Sequence, residues 1–204
     1  MSNASPPPLP TAKRRALDRR GKWLLTLPAL AGALIAALMV LRLIGFIRLM
    51  SVPTSGMAPT LSPGDKVLME RITLLSRKPR RADVVVFRTR GISDRRVRSD
   101  QFYVKRIVGE PGDHLRISWG NLYVNDKRVR LSNDVGEIVY HLPPGAASSQ
   151  AQIDVTVPDG QYYVLGDNST NSYDSRFWGC VPGGDIMGRI ALRYWPPKRA
   201  GGVE

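Results

Sequence analysis

The sequence predicts a mainly β protein, with a single N-terminal transmembrane helix followed by an all-β domain of packed sheets. Three observations predict it. An uncharged apolar run, WLLTLPALAGALIAALMVL at residues 23–41, stands behind a basic cluster. After it come short segments rich in β-branched and aromatic residues: VLMERITLL, DVVVF, QFYVKRIVG, HLRISW, LYVN, EIVYHL, IDVTV, YYVLG and IMGRIALRYW. Turn residues separate them at 111–113, 119–121, 143–145 and 158–160, and such residues supply the dihedrals that tight reversals need.

Each element follows in chain order. Residues 1–12, MSNASPPPLPTA, hold too little apolar bulk to form a core, so 1–22 reads as a disordered basic tail. Its second half carries Lys13, Arg14, Arg15, Arg19, Arg20 and Lys22 against one acid, Asp18. As a helix, 23–41 would reach about 28 Å, close to a hydrocarbon core of about 30 Å. Pro28 falls near its start, where a helix tolerates proline, and Trp23 sits where an interfacial aromatic anchors. A buried core helix and a cleavable signal peptide are the alternatives; the length of the run and the lack of a small-x-small site after it favour a retained anchor over 23–43. The basic flank stays in the cytoplasm by the positive-inside rule, which sends residues 44–204 across as an extracytoplasmic domain. Within that domain RISWGNLYVNDKRV reads as a hairpin, and 88–100, RTRGISDRRVRSD, as a mobile basic loop between two strands.

The composition excludes several chemistries. The formal net charge of +13 points to a polyanionic neighbour, either nucleic acid or an anionic membrane surface. A lone cysteine, Cys180, excludes an internal disulfide framework and a cysteine-rich zinc site. With His114 and His141 the only histidines, a histidine-rich metal site is disfavoured.

Three segments carry the chemistry. In VPTSGMAPTL, residues 52–61, two prolines flank small residues and hold the backbone extended. In YVKRIVGEPGD, residues 103–113, Lys105 sits among apolar neighbours. A lysine turned inward loses its proton more readily and can serve as a general base. In VLGDNSTNSYDSRFWGCVP, residues 164–182, a dense run of Asp, Asn and Ser follows an apolar strand and can build a fixed polar network. Each alone is ordinary loop or surface chemistry. Their order behind an anchor helix is what gives them weight.

Together they resemble the type I signal peptidases, membrane-anchored Ser-Lys proteases that remove signal peptides. The resemblance spans about residues 23–196 and includes RADVVVF (81–87), GNLYVNDKRV (120–129) and GRIALRYWP (188–196). It implies a β catalytic domain on the outer face of the bacterial inner membrane, with no metal and no organic cofactor. It implies acyl transfer by a serine whose proton passes to a neutral lysine. On this resemblance Lys105 is that lysine and Ser172 the hydroxyl that orients it. Asp174 and Arg176 support the loop, Thr54 helps to bind the oxyanion, Met57, Pro59 and Thr60 follow the nucleophile, and Met57 and Pro59 bind substrate.

The departure is Gly56, which stands where the family pattern has serine. Three explanations remain open. Ser55 has taken over, although neighbouring side chains of an extended segment point to opposite faces. Alternatively, the serine has been replaced and cleavage is impaired. Or Lys105 activates a water. The partners of the missing serine, Thr54, Met57, Lys105 and Ser172, are all present. A buried lysine without a task is a cost, which favours a complete scaffold lacking one hydroxyl.

The implied partners are the signal peptides of preproteins and the lipid bilayer. Nucleic acid is disfavoured because no base-stacking motif accompanies the arginines. A binding protein that holds signal peptides without cutting them is the rival reading. Oligomeric state is left open.

Overall fold

The computed structural model describes residues 28–42, 44–141 and 153–203. The chain divides into two units, Met1–Gly45 and Phe46–Glu204. In the first, α1 spans residues 28–42 and its side chains are largely exposed, Leu30, Leu34 and Met39 among them. It reaches about 22 Å at 1.5 Å per residue. Among the described residues no helix is long and apolar enough to cross a membrane. The anchor expected over 23–43 extends beyond α1 at both ends, and residues 23–27 and 43 lie outside the described residues, as does the whole tail 1–22.

The second unit is mainly β, as the sequence predicts. Its strands are β1 (Ile47–Ser51), β2 (Lys66–Glu70), β3 (Val84–Arg88), β4 (Phe102–Gly109), β5 (His114–Ser118), β6 (Asn121–Val124) and β7 (Lys127–Val129). There follow β8 (Ser132–Asn133), β9 (Gly136–Glu137), β10 (Ile153–Thr156), β11 (Gln161–Leu165), β12 (Val181–Pro182), β13 (Ile186–Trp195) and β14 (Gly201–Gly202). A large sheet runs β1-β2-β13-β3-β4-β11-β12, with β14 added on β13, and a small sheet runs β10-β5-β6-β7. Their pairings are antiparallel.

The sequence of β3, VVVFR, has no alternation because both faces are covered. Val84 and Val86 pack with Met57, Leu61, Met69 and Ile190, while Val85 and Phe87 pack with Ile107, Val164 and Val181. The small sheet places Leu115, Ile117, Leu122 and Val124 against Val108, Tyr163 and Leu165 of the large one. Each such side chain contributes about 1.5–3 kcal/mol on burial. The predicted hairpin at RISWGNLYVNDKRV is a three-stranded meander. Both of its two-residue turns have positive φ throughout, 50° and 77° at Trp119 and Gly120, and 50° and 63° at Asn125 and Asp126, as type I′ turns require.

Four expectations change. Part of VLMERITLL leaves the sheet: α2 is a single turn, Thr73–Ser76, and the Glu70 carboxylate accepts the Thr73 amide at 2.9 Å. EIVYHL is not a long strand. Ile138 and Tyr140 are buried, but they bond singly to Leu131 and Gly120 carbonyls. The stretch 52–61 does not stay extended; it turns at 55–60, where Ala58 N–H meets Ser55 O and Leu61 N–H meets Met57 O, each at 2.9 Å. The basic loop 88–100 is packed. Ile92 and Val97 enter the core, and the buried Thr89 hydroxyl donates to Arg98 O at 2.6 Å.

Candidate active site

A cleft of about 480 Å³ is lined by residues 52–57, 102–105 and 170–173. These are the three segments singled out in the sequence. Strand β4 holds the middle one, with Lys105 opposite Val85 of β3 in register. That neighbour is fully buried, so the strand carries the lysine stem through apolar surroundings, and Lys105 is itself 6% exposed. Burial is the main cause that lowers the pKa of its ammonium; Asp174 opposes the shift, Arg176 adds to it and Asp167 opposes it.

The Lys105 Nζ donates to Ser172 Oγ at 2.9 Å. A Cβ placed on Gly56 would lie 3.1 Å from that nitrogen and 3.7 Å from Ser172 Oγ. The backbone of Gly56 is outside the left-handed region, so a side chain there is not barred by dihedral strain. The contact at 3.1 Å is tight, but it is made by the far end of a flexible side chain. A hydroxyl on that carbon would fall within reach of the amine.

Behind these groups lies a buried polar frame. Arg176 grips Asp174 with Nε to Oδ1 and Nη2 to Oδ2, both at 2.8 Å, and their side chains are 1% and 0% exposed. Asp174 Oδ2 also accepts from Gly166 N–H at 3.0 Å. Arg176 reaches on to Ser169 O at 2.8 Å and to the His141 carbonyl. A second fork joins Arg106 to Asp167 at 2.8 and 2.7 Å, and Thr60 Oγ1 donates to the same carboxylate. Three segments distant in sequence are thereby fixed to one another. Asn168 completes the attachment of the 55–56 turn, its N–H to Gly56 O at 3.2 Å and its Nδ2 to Ser55 O at 3.1 Å.

The expected residues separate into groups. Gly56, Lys105 and Ser172 converge. Thr54 and Met57 also line the cleft, Thr54 exposed and Met57 buried at 2%. Pro59 is not part of the lining, and its carbonyl accepts from Arg199 Nη2 at 2.6 Å. The Ser55 hydroxyl accepts from Asn171 Nδ2 at 2.8 Å rather than from Lys105. Sequence reading did not single out Arg106, Asp167, Asn168 or Gly166. The adjacent lysine and the GDN triplet marked where they stand, but pairing Arg106 with Asp167 needs the register of β4 beside β11.

The signal peptidase family, peptidase S26, matches residues 23–195. The chain belongs to this family. Among its relatives, the probable signal peptidase I-2 of Synechocystis is 36% identical over 94% of this chain and 82% of that protein. The chloroplastic thylakoidal processing peptidase 1 of Arabidopsis thaliana is 35% identical over 73% of this chain and 42% of that protein. The inactive signal peptidase IA of Staphylococcus aureus is 28% identical over 71% of this chain and 77% of that protein. Signal peptidases I of this family are serine endopeptidases, and the inactive relative shows that the scaffold also occurs without cleavage.

Proposed function

We propose that this chain is a signal peptidase I-type scaffold for removing N-terminal signal peptides from exported preproteins, impaired in cleavage because Gly56 occupies the nucleophile position. The carrying observation is the amine of Lys105, buried and 3.1 Å from the position a Cβ of residue 56 would take. In the dyad mechanism a serine there attacks the scissile carbonyl while neutral Lys105 accepts its proton. Ser172 holds the amine in line, and Asp174 and Arg176 keep the loop of Ser172 rigid. Thr54, exposed in the cleft, donates to the developing oxyanion, and Met57 forms part of the substrate wall.

A serine at position 56 fits this frame better than a nucleophilic Ser55. The hydroxyl of Ser55 accepts from Asn171 Nδ2, an amide that cannot take its proton, and the Lys105 amine is bonded to Ser172 instead. Membrane placement belongs to the same proposal. The run 23–43 anchors the chain once, the basic tail 1–22 faces the cytoplasm and anionic lipid, and 44–204 works on the far side of the bacterial inner membrane.

The test is Gly56→Ser, assayed on a preprotein in detergent. Cleavage by Gly56→Ser at a rate on the order of a millionfold above the chain as it stands, abolished by adding Lys105→Ala and retained on adding Ser55→Ala, supports the dyad. Absence of cleavage by Gly56→Ser overturns it. The second reading, a binding protein that holds signal peptides uncut, is favoured by the absence of a hydroxyl at 56, and it predicts saturable peptide binding without product.

A further inference from the structure

The basic loop at 88–100 has no part in the dyad chemistry and does not line the cleft, yet it bonds to a residue that does. It is pinned at three points, by buried Thr89, Ile92 and Val97. Between the last two it presents Asp94, whose Oδ2 accepts from the Tyr173 hydroxyl at 2.5 Å. Tyr173 lines the cleft and directly follows Ser172, the residue bonded to the Lys105 amine. Its ring stacks on Phe177 with centroids 4.6 Å apart, and the Arg96 guanidinium lies 4.8 Å from its centroid. Arg96 also binds Asp94, with Nη2 to Oδ2 at 2.9 Å. A tyrosine on a loop between Ser172 and Asp174 could adopt other rotamers. Here both its ring and its hydroxyl are held, and the hydroxyl is held from an element 79 residues away in sequence.

We propose that Asp94 is a specificity-determining positioning residue: by gripping the Tyr173 hydroxyl it fixes an aromatic wall of the cleft and excludes bulky side chains of a bound peptide beside Ser172. This rests on the peptide-cleft reading above. A wall fixed in one rotamer rejects by collision, whereas a wall free to swing gives way to a larger side chain. The loop therefore acts through Tyr173 and touches no reacting atom.

The experiment is fluorescence-polarisation binding to the chain as it exists, with Gly56. The probes are labelled alanine-rich peptides carrying one leucine at each position in turn. At the position beside Ser172 the chain prefers alanine. Asp94→Ala and Tyr173→Phe each reduce that preference about tenfold, a typical discrimination for a few methylenes in a pocket. The double variant loses no more than either alone, as coupled partners do. Asp94→Asn, which retains an acceptor oxygen, keeps most of the preference. Binding with an alanine preference unchanged in Asp94→Ala and Tyr173→Phe overturns the role of Asp94 and leaves the cleft reading intact. Failure of all the peptides to bind the parent chain overturns both. Unaltered thermal melts of Tyr173→Phe and Asp94→Asn exclude unfolding as the source of a change.

Discussion

The interior behind the cleft and the interior beneath the small sheet solve opposite problems. Beneath the small sheet, Leu115, Ile117, Leu122 and Val124 meet Val108 and Leu165, and the space between the sheets is filled by apolar side chains. Behind the cleft, the space is filled by Lys105, Arg106, Asp167, Ser172 and Asp174, each less than a tenth exposed. Removing such charges from water costs more than their pairing returns unless the geometry is good. The two bidentate forks meet that condition, and Lys105 does not, because its nearest partner is a neutral hydroxyl. The difference teaches that one region is filled by apolar packing and the other by paired charges, among which, in the described residues, Lys105 is the buried amine with no carboxylate bonded to it.

The comparison can be broken by substitution, and the largest effect on stability is expected behind the cleft. Asp174→Ala leaves the Arg176 guanidinium buried without its carboxylate, a loss of about 3–5 kcal/mol in urea unfolding. A loss under about 1 kcal/mol would mean that the forks do not hold the frame. Next comes Leu115→Ala, expected to cost about 2–5 kcal/mol through the cavity it opens. In a Gly56→Ser background the two differ in a second way. Leu115→Ala should keep the turnover per folded molecule, whereas Asp174→Ala should lower it.

Lys105→Met sharpens the comparison through pH. Burial lowers the folded pKa of Lys105 below its unfolded value of about 10.4. The unfolded chain therefore binds that proton more tightly. Stability from this position is fully present above the unfolded value and is lost as pH falls through the lowered folded value. Lys105→Met should be more stable than the parent at neutral pH, and its advantage should shrink as pH rises towards 10. Urea midpoints measured across that range check it, and a difference independent of pH would mean that the amine is not desolvated. In Gly56→Ser the same titration should appear in cleavage, which rises with pH as the amine loses its proton.

How far the sequence reaches differs between these regions. The strands DVVVF and YYVLG were legible because uninterrupted β-branched and aromatic runs suit a sheet covered on both faces. Lys105 and Ser172 were legible through their motifs. The turn at 55–60 was not, because proline flanks read locally as extended chain, whereas the bend is held by Asn168 from more than a hundred residues away. The packing of the loop at 88–100 is hidden in the sequence for a related reason. Its charges dominate any composition measure, and the two apolar residues that pin it, Ile92 and Val97, show their importance only when the sheet supplies somewhere to put them.

A Cβ on Gly166 would fall 2.1 Å from Ser172 Oγ and 2.3 Å from the Gly56 carbonyl. That collision bars a side chain at position 166 as the backbone stands, whereas at position 56 the nearest contact is 3.1 Å to the far end of Lys105. The Gly56 main chain is thus held from Asn168 independently of any side chain at that position, and on the proposed dyad a single exchange there decides whether a nucleophile faces Lys105.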